Sequence, residues 1–274
     1  FPTLDLGESS SSLVKLKEKK ILDRFKKSQK PIFILGQGAL CHSDAQQIFN
    51  YCLNLYIKYF GKLDWNGFNV LQTYAGRVGA LDLEFFNKKL VDSRSFIKNI
   101  YQGRYKLLYL LSADEIDFDS IPRSTFVIYH GHHGDKATKR ADLIIPMSCF
   151  TEKEGLYVNL EGRSQFSRQI KSPLPFVDHS WDFFLKLSNL LNVNLNYTDQ
   201  NDLRENMFEE FPHLSRVNDV SLNKILSANT MGSKFSNKII DSNISDFYMT
   251  DSVSRNSPTM SKCSIAFTKN NFDR

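Results

Sequence analysis

A histidine-rich segment carries the side chains of this sequence that are best suited to chemistry. Residues 130–135 read HGHHGD and follow a short apolar run that is typical of a buried strand. His132, His133 and Asp135 offer imidazoles and a carboxylate, which are common metal ligands. Adjacent histidines tend to point apart, however, so we expect no metal here. The two glycines indicate either backbone that passes close to another group or a packed, hydrogen-bonded turn.

Three glutamates further along the chain could act as paired carboxylates in acid–base catalysis. They alternate with basic residues, and the set comprises Glu152, Lys153, Glu154, Glu161, Arg163 and Arg168. Nothing in the sequence isolates one carboxyl group in an apolar pocket, which is what raises a carboxyl pKa. We therefore predict ion pairs around a β-turn. No nucleophile elbow or phosphate-binding loop occurs either, so the sequence assigns no catalytic residue.

Glycines and cysteines give weaker signals. Gly36-Gln37-Gly38 lies between a predicted strand and helix, but Cys41 stands where a dinucleotide fingerprint would have its third glycine. We interpret the segment as a tight turn that needs flexible backbone. The four cysteines, at positions 41, 52, 149 and 263, form no CxxC pair. We therefore expect neither a zinc site nor an iron–sulfur cluster held by this chain alone, and the scattered thiols suit a reducing compartment.

The elements that position these residues alternate along the chain. Continuous apolar runs predict strands over residues 31–35, 68–71, 106–111, 125–129 and 142–145. Helices are predicted over residues 12–28, 44–60, 75–86, 93–100 and 178–191, with Ser12 and Asp44 among the caps. Strands separated by helices predict an α/β fold with a doubly wound, mostly parallel sheet.

The sequence divides into three parts by composition. Residues 1–30 form a polar lead and a basic helix, and residues 31–193 carry the predicted α/β domain, including a strand-like, turn-rich stretch from 151 to 165. Apolar periodicity weakens after Asn192, so residues 194–274 are predicted to be short helical pieces and an extended tail that a partner orders.

Charge and hydropathy exclude several classes of protein. The net charge is +5, and eight basic residues fall between Lys15 and Lys30. This stretch is better explained as a solvated helix face than as a nucleic-acid or acidic-lipid surface, so we expect no nucleic-acid partner. No apolar run approaches the roughly 20 residues that cross a bilayer, and we expect no membrane span. Phe1 indicates that the translated N-terminus was processed or lies beyond this sequence.

Several segments together resemble one family. They are DLGES at 5–9, ILGQGAL at 34–40, VGALDL at 78–83, YLLSADE at 109–115, VIYHGHHGD at 127–135, ADLIIP at 141–146, TEKEGLYVNLEGRSQ at 151–165 and FYMTDSVSRNSPTMSKC at 247–263. In this order they resemble the C-terminal part of the large (75 kDa) iron–sulfur subunit of respiratory complex I, the NADH–quinone oxidoreductase. The central segments of this series are shared more loosely with molybdopterin oxidoreductases.

The resemblance implies a non-catalytic role. In that family the iron–sulfur clusters lie in an N-terminal, cysteine-rich half, and the molybdopterin-oxidoreductase-like domain is a scaffold without its cofactor. The chain thus resembles half of a split subunit, with no cofactor of its own and with the clusters on a separate partner chain. The implied setting is the matrix side of the mitochondrial inner membrane, among other subunits of the peripheral arm. As part of an enzyme, the chain would contribute no catalytic residue.

An alternative within the same resemblance is a cofactor-binding subunit of a molybdopterin-dependent oxidoreductase. This alternative is based on the segments GHHGD and TEKEGLYVNLEGR. The candidate residues of a degenerate pterin site are His132, His133, Gly134 and Asp135. The residues after Gly134 read DKATKR, where the family usually has a more neutral, glycine-bearing stretch. We expect them to form a cationic loop at that site, which makes pterin retention less favourable but could attract an anionic group.

Overall fold

The computed structural model describes residues 5–17, 19–61, 65–85, 93–220, 234–236, 238–239, 246 and 248–272. Its strands are β1 Phe33–Leu35, β2 Phe68–Val70, β3 Leu107–Leu111, β4 Phe126–Gly131, β5 Leu143–Pro146, β6 Gly155–Val158 and β7 Ser164–Ser167. Its α-helices are α1 Lys19–Lys26, α2 Gln37–Leu40, α3 Ala45–Phe60, α4 Arg77–Asp82, α5 Ser93–Tyr101, α6 Lys136–Arg140, α7 Ser180–Leu190, α8 Gln200–Glu210, α9 Ser252–Arg255 and α10 Pro258–Phe272. Short 3₁₀ helices span Ser10–Lys17, Phe150–Glu152 and Pro212–Ser215.

The chain divides into two compact units, each built from several segments. Unit 1 comprises Phe1–Leu83, Leu156–Gln165 and His213–Asn243, and unit 2 comprises Glu84–Gly155, Phe166–Pro212 and Ile244–Arg274. The division predicted from sequence, at residues 30 and 193, follows composition and stays a prediction.

Unit 1 is organised around the parallel pair β1–β2. Phe33 is in register with Phe68, and their rings stack at a centroid distance of 5.8 Å. Ile48 and Cys52 of α3 pack against Leu35 of β1, and together they form a small buried core. The apolar residues of α3 recur along one face of the helix, and this amphipathic pattern allows that face to pack against the sheet.

Unit 2 contains a three-stranded parallel sheet in the order β3–β4–β5. Side chains alternate between the two faces of a strand, so Val127 and Tyr129 of the central strand point to the same side. There they pack with Leu108 and Leu110 of β3 and with Ile100 of α5. This core fixes the central strand, and the segments that leave the sheet after β3, β4 and β5 emerge at one edge.

The predicted α/β class and the parallel pairing are confirmed. The five predicted strands, the helices at 44–60, 93–100 and 178–191 and the strand-like stretch at 151–165 appear within a few residues of their predicted bounds. In place of one helix from Ser12, the chain forms a 3₁₀ helix from Ser10 and then α1. The predicted helix at 75–86 is the shorter α4, and Phe86 lies outside the described residues. The helices α8, α9 and α10 fall within the predicted C-terminal extension, although residues 221–233 of it are not described.

Asp44 does not act as a capping side chain, contrary to the prediction. It stands at the N-cap position of α3, but its carboxylate makes no capping hydrogen bond. Instead Asp44 Oδ2 accepts from Ser10 Oγ at 2.6 Å and from the backbone N–H of Ser236 at 2.8 Å. These hydrogen bonds, led by the one from Ser10, lower the pKa of Asp44. A carboxylate near a helix start is attractive to any nearby donor, and here the donors come from distant parts of the chain.

Across the part of the chain that the structure describes, no helix combines the length and the apolar character needed to span a bilayer.

Candidate functional site

The candidate residues lie at the carboxyl edge of the β3–β4–β5 sheet in unit 2. The three strands are parallel and end at Leu111, Gly131 and Pro146, so the segments that follow them leave the sheet on the same side. In open parallel α/β sheets this side is where ligands bind. We call the segments 112–116, 130–135 and 147–153 the carboxyl edge.

His130 is part of the core rather than an exposed ligand. Its side chain is fully buried, and its Nδ1 lies 2.8 Å from the hydroxyl of Tyr109 on the neighbouring strand. Its ring also lies 4.7 Å, between centroids, from Phe183 of α7. Burial lowers the pKa of His130, and the nearby charge of Lys153 adds to this effect. The imidazole is therefore held neutral, which suits its apolar surroundings.

His132 and His133 face each other, contrary to the expectation that they would point apart. Their ring centroids are 5.2 Å apart and the ring planes meet at 82°. The Nδ1 atoms of both residues are buried and find no hydrogen-bond partner among the described residues. Burial, and then the proximity of His133, lowers the pKa of His132. In the same described ranges, no group of three histidine, cysteine or acidic side chains is arranged to hold a metal ion.

The two glycines of the segment have different surroundings. A Cβ added to Gly131 would overlap Cζ and the hydroxyl oxygen of Tyr129, at distances that real Cβ atoms do not adopt. A Cβ at Gly134 would meet nothing within 4 Å. The interpretation that glycine marks a close approach is therefore correct at Gly131, where the neighbour is a buried tyrosine ring, but not at Gly134.

Asp135 forms an ion pair with a residue 120 positions further along the chain. Arg255 Nε donates to Asp135 Oδ2 at 2.7 Å, and Arg255 NH2 lies 3.0 Å from Asp114 Oδ2. The side chains of Arg255, Asp114 and Asp135 are 17%, 11% and 11% exposed. Asp114 follows β3 and Asp135 follows β4, so a single guanidinium joins the ends of two neighbouring strands. Sequence reasoning did not single out Arg255, although it lies within the C-terminal block FYMTDSVSRNSPTMSKC.

The KATKR segment forms the short helix α6 and not the predicted cationic loop at the candidate site. Arg140 turns into the core of unit 2, where its NH2 donates to the carbonyls of Pro122 and Thr125 at 2.8 Å each. Lys136 and Lys139 line a cavity of about 560 Å³ together with acidic residues of the loop that follows β3. Arg140 lines the same cavity, so the basic residues of α6 are grouped around one mixed-charge cavity.

The glutamates lie in different surroundings. Glu161 pairs with Arg163 at 3.5 Å, as the predicted ion pairing around a turn requires. Glu154 instead pairs with Arg204 of α8 at 3.6 Å, a partner that local spacing could not indicate. Glu152 Oε2 accepts from the backbone N–H of Cys149 at 3.0 Å. None of these contacts places a carboxyl group in the apolar pocket that acid catalysis would require.

Lys153 follows Glu152 in the carboxyl edge and is half-buried. Burial lowers its pKa, since a charged ammonium loses hydration there. No ion pair of Lys153 occurs within the described parts of the chain. It also contributes to the lowered pKa values of His130 and His132. The carboxyl edge is therefore built of three packed imidazoles, one half-buried lysine and a paired carboxylate–guanidinium group.

The segment around Gly36 and Gly38 forms the start of α2 rather than a strained turn. Gly36 has an extended backbone with φ of −79°, and a Cβ at either glycine would meet nothing within 4 Å. The interpretation of a turn that needs the conformational freedom of glycine is therefore wrong here. Open space and ordinary dihedral angles give no sign of a phosphate-binding loop.

Comparison with known proteins finds two families along the chain. The profile described as molybdopterin oxidoreductase matches residues 1–190, and that for the C-terminal part of the G subunit of NADH-ubiquinone oxidoreductase matches residues 216–263. The chain is 35% identical to the mitochondrial NADH-ubiquinone oxidoreductase 78 kDa subunit of Candida albicans, over 97% of this chain and 37% of that protein.

Two further relatives resemble the chain over almost its whole length. It is 34% identical to the NADH-ubiquinone oxidoreductase 75 kDa subunit of Reclinomonas americana, over 98% of this chain and 39% of that protein. It is 32% identical to the G subunit of the NADH-quinone oxidoreductase of Rickettsia bellii, over 94% of this chain and 37% of that protein. The chain thus spans little more than a third of the length of these relatives. Because the first profile covers more than half of the chain, the chain belongs to the molybdopterin oxidoreductase family, and its C-terminal segment matches that of the NADH-ubiquinone oxidoreductase G subunit.

Proposed function

We propose that this chain is a non-catalytic structural subunit of mitochondrial NADH:ubiquinone oxidoreductase, complex I. Its role there is to support the polypeptide that carries the iron–sulfur clusters, in the peripheral arm on the matrix side of the inner membrane. The observation that carries the proposal is the order of the two matching families, together with similarity to complex I subunits over 94–98% of the chain.

The surface of each unit supports a role in assembly. In unit 2 large apolar side chains on the strands stay exposed, among them Leu107, Phe126 and Ile144. In unit 1 Ile34 of β1 is 56% exposed. Parallel sheets are normally covered on both faces, and a two-stranded sheet is marginal by itself. Leu107 and Phe126 are in register on neighbouring strands, and exposed apolar side chains on a sheet face are typical of protein–protein contact. The occupant that the proposal assigns to it is the cluster-bearing part of the subunit.

The carboxyl edge supports the non-catalytic part of the proposal. His130 packs against Phe183 and His132 packs against His133, while Asp114 and Asp135 pair with Arg255 and Glu152 accepts from backbone. A general acid or base needs a group within reach of a substrate, with a pKa near the working pH. The described residues of the edge provide packing and ion pairing instead. By holding a neighbouring chain in place, the domain would keep electron-transfer distances fixed.

The proposal is tested by purifying complex I from mitochondria of the source cells and identifying its subunits by peptide mass spectrometry. We expect peptides of this chain in stoichiometric amount, and their absence would refute the proposal. The intact mass of the polypeptide tests the further hypothesis of a split subunit, in which the clusters reside on a separate chain. A single large polypeptide that contains both parts would exclude it.

Elemental analysis of the same material separates the alternative function. A molybdopterin-dependent oxidoreductase would contain molybdenum or tungsten in stoichiometric amount with this chain. A structural subunit of complex I would contain iron from the cluster-bearing part and neither of those metals. The two outcomes are exclusive, so one measurement decides between them.

A further inference from the structure

The family implies a molybdopterin cofactor, and the residues at the carboxyl edge do not fit one. The polar side chains that follow β3 and β4, Asp114 and Asp135, already bind Arg255 of the same chain at 3.0 and 2.7 Å. His132 and His133 are packed against each other. A cofactor at this edge would have to displace contacts that are largely shielded from solvent.

We propose that Arg255 is an internal plug of the carboxyl edge. It anchors the segment Asp251–Phe272 to the ends of β3 and β4, and it occupies the space between Asp114 and Asp135 that the polar groups of a ligand would need. All three residues belong to unit 2, so the contact lies within one compact unit. The inference supports the non-catalytic role but does not depend on membership of complex I.

The position of Arg255 is set by local structure before the ion pairs form. Asp251 caps the short helix α9 by accepting from the backbone N–H groups of Val253 and Ser254 at 2.9 and 3.0 Å. Ser254 Oγ in turn accepts from the backbone N–H of Asp251, which completes a capping box. Arg255 is the last residue of this turn, so its direction is largely fixed. Less side-chain entropy is therefore lost when the guanidinium meets its two carboxylates.

The segment beyond α9 is held by further contacts of its own. Ser264 of α10 donates a short hydrogen bond to Asp246, and Asp246 also accepts from the backbone N–H of Tyr248 at 2.9 Å. The ring of Tyr248 meets that of Phe267 edge to face at 6.0 Å. These contacts stay within residues 246–267 and reach neither β3 nor β4. The contacts of Arg255 with Asp114 and Asp135 join this segment to the sheet edge by charge.

Charge explains why the guanidinium is suited to this position. Asp114 and Asp135 follow neighbouring strands, and their side chains are both only 11% exposed. Without a cation the two carboxylates would repel each other, because little water is present to screen their charges. The planar guanidinium donates a hydrogen bond to Asp135 through Nε, and its NH2 lies within ion-pair distance of Asp114. A lysine ammonium is a point charge and satisfies such a pair less well. Removal of Arg255 is therefore expected to open the edge and to leave a pair of carboxylates that attracts small cations.

The test is hydrogen exchange on the assembly purified with this chain, carrying Arg255→Met. The peptides to follow are 112–116, 130–136 and 251–267. We expect exchange to become at least tenfold faster in all three. The matched control is Lys262→Met, which removes a positive charge from an exposed position on the same segment and should leave exchange unchanged.

Two further measurements separate a plug from a general loss of structure. Methylguanidinium at millimolar concentration should restore protection of residues 112–116 and 130–136 in Arg255→Met, but not in the wild type or the control. Arg255→Lys should give intermediate exchange. If Arg255→Met does not accumulate, the double variant Asp114→Asn, Asp135→Asn removes the same contacts, and it should release residues 251–267 while the rest of unit 2 keeps its protection.

Three results would overturn the proposal. One is exchange in Arg255→Met equal to that in Lys262→Met. Another is faster exchange in residues 251–267 with no change in residues 112–116 and 130–136, which would make Arg255 a tether but not a plug. The third is continued protection of residues 251–267 in the double asparagine variant. A failure of complex I membership would appear separately, in the mass spectrometry described above.

Discussion

Replacement of Arg140 by methionine is expected to destabilise unit 2 strongly. Arg140 is the last residue of α6 and only 6% exposed. Its NH2 donates to the carbonyls of Pro122 and Thr125, and its NH1 donates to Asp142 Oδ2 at 3.2 Å. The side chain thus joins the turn before β4 to the segment that enters β5. Methionine fills a similar volume but supplies no donor.

The size of the effect follows from the two carbonyl contacts. Hydrogen bonds from a charged donor contribute roughly 1.5–3 kcal/mol each, and a buried acceptor left without a donor loses its compensation for desolvation. Two such bonds give an expected loss of about 3–6 kcal/mol. Asp142 keeps its hydrogen bond from the backbone N–H of Val127 at 2.8 Å and is 40% exposed, so solvent can hydrate its charge. We therefore assign no part of the loss to that carboxylate.

The measurement is urea-dependent hydrogen exchange of the β4 peptide, residues 126–131, in the full chain. The matched control is Lys139→Met, which removes the same charge from an exposed neighbour on α6 and should change the free energy of unfolding by less than about 0.5 kcal/mol. Arg140→Lys should fall between the two, since an ammonium cannot reproduce the fork of a guanidinium. A loss below about 1 kcal/mol for Arg140→Met, or an equal loss for Lys139→Met, would refute the reasoning.

Three further outcomes are expected. Burial lowers the pKa values of His130 and His132 from 6.5, so the unfolded chain takes up protons that the folded chain does not. The stability of the fold should therefore decrease as the pH drops below 6.5. Urea midpoints measured at about pH 7.5 and 5.5 check this, and His132→Gln should reduce the difference between them. Burial raises the pKa of Cys52 to about 11, so iodoacetamide should label the exposed Cys41 well before Cys52, as peptide mass spectrometry would reveal. Ile48→Ala should cost about 2–5 kcal/mol in urea unfolding because the side chain is 1% exposed in the core of unit 1, whereas an alanine at the exposed Ile34 should cost far less. Equal urea midpoints at both pH values, early labelling of Cys52 or a negligible cost at Ile48 would contradict the respective argument.

The strands were predictable because their signal is local. Runs such as Leu107–Leu111 and residues 126–129 are continuous and apolar, and such runs form strands in a parallel sheet. The helix α6 was missed because Lys136–Arg140 contains a single apolar residue, Ala137, and so carries no periodic pattern. Its stability comes from tertiary contacts, namely the buried Ala137 and the carbonyls that Arg140 reaches.

The sequence located the histidine-rich segment at the end of a strand but could not indicate the contacts of its side chains. In the structure residues 130–135 span the end of β4 and the loop that follows it. The partner of Asp135 could not be inferred, since Arg255 is 120 residues away and no local rule pairs them. The same holds for Glu154 with Arg204 and for Asp44 with Ser10.

The sequence by itself determined the class of fold, the positions of its strands along the chain and the family to which the chain belongs. These follow from apolar periodicity and ordered motifs, which depend only on neighbouring residues. Only the tertiary structure decided which charges meet, because an ion pair forms wherever the packed backbone brings two groups within about 4 Å, whatever their separation along the chain. For this protein that contact is the one between Arg255 and the two strand ends, and it fills the edge at which a ligand would otherwise bind.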